Sequence, residues 1–109
     1  HGYLKRLELA RCLALEPELL ILDELFSGMS ISEVAATLPI IEKLNEGGLT
    51  IIMIEHRLRE LFKIANRVIV LNFGRKIAEG TPSEIADNED VKAAYLGSEV
   101  YEDAPTVST

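Results

Sequence analysis

The chain has 109 residues, enough for one domain or part of one. Hydrophobic residues make up 48% and charged residues 27%, an ordinary globular balance, and no apolar run approaches the roughly 20 residues of a membrane span. The net charge of −7 is concentrated: Glu84 to Asp103 holds seven acids and one lysine, leaving the first 83 residues close to neutral. Without a basic face, general nucleic-acid binding is not expected.

Residues 3 to 15 carry a strong helical pattern, rich in Leu, Ala, Lys, Arg and Glu. Lys5, Glu8 and Arg11 stand at three-residue steps that allow surface pairing, while Leu7, Ala10 and Ala14 line one side, widened by Leu9 and Leu13. Cys12 lies in this pattern; as a lone cysteine it excludes an internal disulfide and reads as a small buried residue. Pro17 stops the helix. The chain enters this helix almost at once, from His1-Gly2, which suggests sequence upstream.

Leu19-Leu20-Ile21-Leu22 is a run of large aliphatics that reads as a strand buried on both faces of a covered parallel sheet. Asp23 and Glu24 arrive together at its C-terminal end, the edge where open α/β sheets bind ligands. Paired acids there suit a nucleotide-borne Mg²⁺ and a water to be oriented; equally, they suit a strand leaving for solvent. Leu25 to Ser30 is a loop with Gly28 as its flexible point, and Ser30 with Glu33 forms a capping box opening a helix to about Glu46. Pro39 inside that pattern predicts a kink or two shorter helices.

Leu49 to Ile54 is a second uncharged, β-branched strand ending in Glu55-His56, and Arg57 to Ala65 is amphipathic with Leu58, Leu61, Phe62 and Ala65 inward. Strand and helix alternating at these lengths predict parallel α/β winding. Arg67 to Asn72 and Lys76 to Glu79 flank Phe73-Gly74-Arg75 as an edge hairpin. Thr81-Pro82-Ser83-Glu84 is a second capping box, and Asn88 caps a last helix ending at Leu96-Gly97. Residues 98 to 109 read as a frayed tail.

If the two aliphatic strands are neighbours, Asp23, Glu24 and His56 converge on one crevice suited to phosphoryl transfer to water. Asp23 would hold Mg²⁺ through its water shell, Glu24 would take a proton from water and His56 would touch a terminal phosphate. On spacing alone, the plainer reading of His56 is a histidine that ends the strand and caps the next helix. A zinc site is disfavoured, because His and Cys show no ligand spacing.

Over about residues 1 to 97 the chain resembles the C-terminal part of an ABC-transporter ATP-binding subunit. Gly2 to Arg11 looks like the end of the ABC signature running into its helix, and Leu20-Ile21-Leu22-Asp23-Glu24 looks like a Walker B strand with its catalytic glutamate. Ser27-Gly28-Met29-Ser30 looks like the D-loop, and His56 stands where the switch histidine falls. The signature helix, the stretch Gly74 to Pro82 and Ala94-Tyr95-Leu96-Gly97 look most like the ATPases of branched-chain amino-acid importers.

The resemblance implies an α/β fold, the C-terminal part of a P-loop NTPase domain of the ABC type with parallel strands, flanking helices and an edge hairpin. It implies ATP and Mg²⁺ as cofactors, with Glu24 and His56 catalytic, Asp23 on the metal side, and Gly2, Tyr3, Ser27, Gly28, Met29 and Ser30 at the nucleotide and subunit interface. It also implies a head-to-tail second ATP-binding subunit, transmembrane permease subunits and a place on the cytoplasmic face of the membrane. The Walker A loop, the glutamine loop and the signature's leading Leu-Ser are absent from this sequence, and Leu25 replaces the usual proline, which is expected to loosen the D-loop. The chain alone is therefore expected neither to bind ATP tightly nor to turn it over. Two other readings are a non-catalytic remnant that only binds a partner and an ABC-type ATPase without a permease.

Overall fold

The computed structural model describes residues 2 to 95, so the expectations for Leu96-Gly97 and for the tail lie outside the described residues. Contacts divide the chain into two compact units that meet in sequence at His56 and Arg57.

The first unit opens with α1 (Gly2–Leu13), continues through β1 (Leu19–Asp23) and α2 (Ile31–Glu46), and ends with β2 (Thr50–Ile54). The strands pair in parallel, in a register that sets Leu20 beside Ile51 and Asp23 beside Ile54. A helical crossover between parallel neighbours is the predicted winding. The local reasons are legible. Ser30 Oγ accepts from the Glu33 amide at 3.1 Å, and Glu33 Oε1 accepts from the Ser30 amide at 3.3 Å. At the other end Gly47 donates to Lys43 O, and Gly48 takes φ 109°, a conformation that glycine adopts without a Cβ penalty.

Three expectations are corrected here. Of the two alternatives at Pro39, the pair of shorter helices is the one overturned, since α2 is one continuous helix from Ile31 to Glu46. Val34, Leu38 and Ile41 form its buried stripe while Pro39 and Ala35 are exposed, so the lost amide and the carbonyl it would have served face water. Next, β1 is buried on one face only: Leu20 and Leu22 are inside, whereas Leu19 and Ile21 are exposed, as are Ile52 and Ile54 on β2. An all-aliphatic run loses the alternating signal that would have marked one side as open. Finally, Cys12 is exposed, because α1 buries only Leu9 among the described residues.

The second unit holds α3 (Leu58–Ile64), β3 (Val68–Asn72), β4 (Arg75–Gly80), α4 (Pro82–Ala86) and α5 (Glu89–Ala94). The strands β3 and β4 form their own two-stranded antiparallel sheet, so the hairpin is not an edge of the β1–β2 sheet. Its two-residue loop, Phe73-Gly74, has φ 49° and 74°, the left-handed pair of a type I′ turn. Leu58, Phe62, Val68, Val70, Ile85, Ala86 and Val91 make the core of this unit. The capping box at Thr81 and Glu84, Pro82 at the start of α4, and the Asn88 cap of α5 are all formed.

Candidate active site

The site is built at the C-terminal ends of β1 and β2. Asp23 is the last residue of β1 and is exposed, so its carboxylate is available to a ligand. Glu24 follows with φ 53°, in the left-handed region. For a residue with a Cβ, such a conformation costs about 1–3 kcal/mol and needs surrounding contacts to maintain it. Those contacts are visible. The Glu24 amide donates to Ile54 O at 2.8 Å, extending the β1–β2 ladder by one residue, and the Glu24 carbonyl accepts from the Ser27 amide at 3.1 Å. Lys5 reaches over from α1 and donates to the same carbonyl at 2.7 Å.

With its backbone so held, Glu24 places Oε1 3.7 Å from His56 Nδ1. Both side chains remain more than half exposed, which leaves room for a ligand or a water between and above them. His56 does not cap the next helix: the N-cap of α3 is Arg57, which makes no side-chain cap bond. The alternative of a merely structural histidine thus loses its simplest form.

The loop after Glu24 is well anchored. Leu25, Phe26 and Met29 are buried, with Phe26 fully so, and the Phe26 amide donates to Glu55 Oε2 at 3.0 Å. Leu25, expected to loosen the loop, is one of its apolar anchors. Gly28 takes φ 80° and, with Ser27, is exposed, whereas Met29 points inward, its sulfur 3.9 Å from Thr37 Oγ1. The Ser30 hydroxyl is engaged as the cap of α2. Of the predicted D-loop residues, Ser27, Gly28 and Ser30 are therefore exposed, Ser30 with its hydroxyl engaged in the cap. Gly2 and Tyr3 begin α1, with Tyr3 exposed.

Two residues here were not assigned a role from sequence. Lys5 read as a surface-pairing lysine and Glu55 as polar chemistry beside His56; each instead bonds the backbone next to the paired acids. Glu55 is half-buried, its Oε1 accepts no hydrogen bond among the described residues, and burial pushes its carboxyl above the ordinary range against the opposing effect of the Phe26 hydrogen bond.

No group of three His, Cys, Asp or Glu among the described residues could hold a metal alone. Mg²⁺ does not require one, since it is held by one or two carboxylates together with waters and substrate phosphate oxygens. The exposed Asp23 fits such a metal as one protein ligand.

An α/β unit with paired parallel strands and acids at their C-terminal edge defines a class, and comparisons with known proteins agree on which. A crystal structure of an ATP-binding cassette of an ABC transporter, in its ADP conformation, matches with a TM-score of 0.79 and 26% identity, covering 88% of this chain and 39% of that one. The fold is α/β, that of the C-terminal part of a P-loop NTPase domain of the ABC type.

Among curated relatives, the high-affinity branched-chain amino acid transport ATP-binding protein BraF of Pseudomonas aeruginosa is 40% identical over 98 residues, 89% of this chain and 38% of its own length. The lipopolysaccharide export system ATP-binding protein LptB of Escherichia coli is 39% identical over 98 residues, 90% of this chain and 41% of its own. Residues 75–101 match the family model described as a branched-chain amino acid ATP-binding cassette transporter. The chain is thus related to the ABC-transporter ATP-binding subunits, those of branched-chain amino-acid transport and of lipopolysaccharide export among them, and spans about 40% of the length of the relatives it matches.

Proposed function

We propose that the chain supplies the water-activating part of the ATP site in an ABC-transporter subunit that energises import of branched-chain amino acids. The observation that carries this reading is the convergence of Asp23, Glu24 and His56 at the ends of two paired parallel strands, with Glu24 and His56 3.7 Å apart. Mg²⁺ carried by ATP would be held by Asp23 and would supply charge neutralisation on the transferring phosphoryl group. Asp23 orients that metal from its exposed position at the end of β1. Glu24 accepts a proton from the attacking water, and His56 contacts the terminal phosphate. Ser27 and Gly28 face a second ATP-binding subunit, arranged head to tail, and Gly2 and Tyr3 belong to the signature contact with nucleotide. Permease subunits complete the assembly, and this chain lies on the cytoplasmic face of the membrane. The near-equal match to an ATP-binding protein of lipopolysaccharide export supports a second reading in which the cargo is lipid rather than amino acid.

Calorimetric titration of the 109-residue chain with millimolar Mg-ATP tests the division of labour. No saturable binding is expected, because the sequence holds no Walker A loop. Saturable binding lost in Asp23→Ala would show that the chain cradles nucleotide by itself. Joined behind the Walker A-bearing segment of an ABC ATP-binding relative, so that both halves of the site lie in one chain, it should support ATP turnover that Glu24→Gln lowers by about 10²–10⁴-fold, the usual worth of a general base. Unchanged turnover in that variant would remove Glu24 from the reaction.

A further inference from the structure

Glu55 is an odd residue for its position. It follows five residues of an uncharged strand and is half-buried, with one carboxylate oxygen shielded and accepting nothing among the described residues. A buried, unsatisfied oxygen is a cost that an apolar side chain would avoid. What an apolar side chain could not do is accept from the Phe26 amide, the bond made by the other oxygen at 3.0 Å. Phe26 lies two residues after Glu24, and its side chain is fully buried, so fixing its amide fixes the turn that Glu24 begins. From α1, Lys5 holds the Glu24 carbonyl at 2.7 Å. The left-handed backbone of Glu24 is thereby gripped from α1 and from the end of β2, two elements far from it in sequence.

We propose that Glu55 is a positioning residue for Glu24: by accepting from the Phe26 amide it locks the turn after β1 and aims the Glu24 carboxylate at His56. Lys5 is the second point of the same clamp. This rests on the reading of Glu24 as the water-activating base, but its structural content is separable from that reading.

The test is nuclear magnetic resonance of the isotope-labelled 109-residue chain, with no nucleotide added. In the unmodified chain the Phe26 amide should be protected from hydrogen exchange, and a cross-peak should link the Glu24 side chain to the His56 ring. Glu55→Ala should speed Phe26 exchange by about 10-fold or more, the worth of one charge-assisted hydrogen bond, and should erase the cross-peak while the β1–β2 ladder amides stay protected. Glu55→Gln keeps an acceptor oxygen and should preserve both signals. Glu55→Asp keeps the charge but falls one methylene short, so it should behave like Glu55→Ala and carries the test if the alanine variant does not fold. Phe26 protection and the Glu24–His56 cross-peak persisting in Glu55→Ala or Glu55→Asp would overturn the proposal, as would their loss in Glu55→Gln with an intact ladder. If instead the clamp behaves as expected but Glu24→Gln does not alter turnover in the joined chain, the proposed function fails and the clamp stands.

Discussion

At the scale of single residues, left-handed backbone occurs at three non-glycine positions among the described residues, Glu16, Glu24 and Phe73, of which the last two are of opposite kind. Glu24 has φ 53° and is held by hydrogen bonds from Lys5 and Ser27 and to Ile54, as befits a strained residue that a site requires. Phe73 has φ 49° only because a two-residue I′ loop requires it, and its ring is 97% exposed. A bulky exposed side chain contributes nothing there. Phe73→Asn should stabilise the chain by about 1 kcal/mol, since asparagine tolerates the left-handed region, and denaturant melts would show it as a raised midpoint with unchanged slope. Destabilisation would mean that the ring packs on something. The turn was legible in the sequence because Gly74 follows Phe73 between two short strand-like segments. The conformation of Glu24 was not legible, since no local rule places a glutamate at positive φ.

At the scale of elements, α2 shows a buried stripe overriding a propensity. Its proline is tolerated because the opposite face is anchored by Val34, Leu38 and Ile41. Pro39→Ala should restore the missing hydrogen bond on the exposed face and raise stability by roughly 1–3 kcal/mol, read by thermal or denaturant melts. The β1 strand makes a different point. Leu22→Ala on its closed face should cost about 2–5 kcal/mol, whereas Ile21→Thr on its open face should stay within about 0.5 kcal/mol. Equal losses at the two positions would show that both faces are packed. Helix starts were readable because a capping box is a four-residue signal; the burial of each face depends on what other elements reach it.

At the scale of the whole molecule, opposed titrations shape stability. Hydrogen bonds within the two capping boxes hold Glu33 and Glu84 below the usual 4.5, and Lys76 and Arg67 do the same for Glu79. Their contributions are present above pH 4.5 and fade as pH falls through each lowered value. Glu55 runs the other way: burial raises its carboxyl above 4.5, so its contribution is present below that pH and fades as pH rises through the raised value. Glu55→Gln should therefore be more stable than the parent chain at neutral pH, with the gap closing toward pH 4.5. Denaturant melts from pH 4 to 8 would show a gap that widens with pH; a gap independent of pH would rule out desolvation as its cause.

The sequence by itself determined the order of helices and strands, their caps, the hairpin turn, and the arrival of Asp23, Glu24 and His56 at strand ends. These follow from periodicity and from interactions spanning a few residues, so local chemistry suffices. The family resemblance was legible for the same reason, through short motifs in a set order. Only the tertiary structure decided that β1 leaves one face open, that the hairpin forms its own sheet, and that Lys5 and Glu55 grip the turn around Glu24. Those bonds join residues 19 and 29 positions apart. A lysine on a helix and a glutamate after a strand carry no local sign of which distant backbone group they will meet; the parallel pairing and chain crossings bring them together.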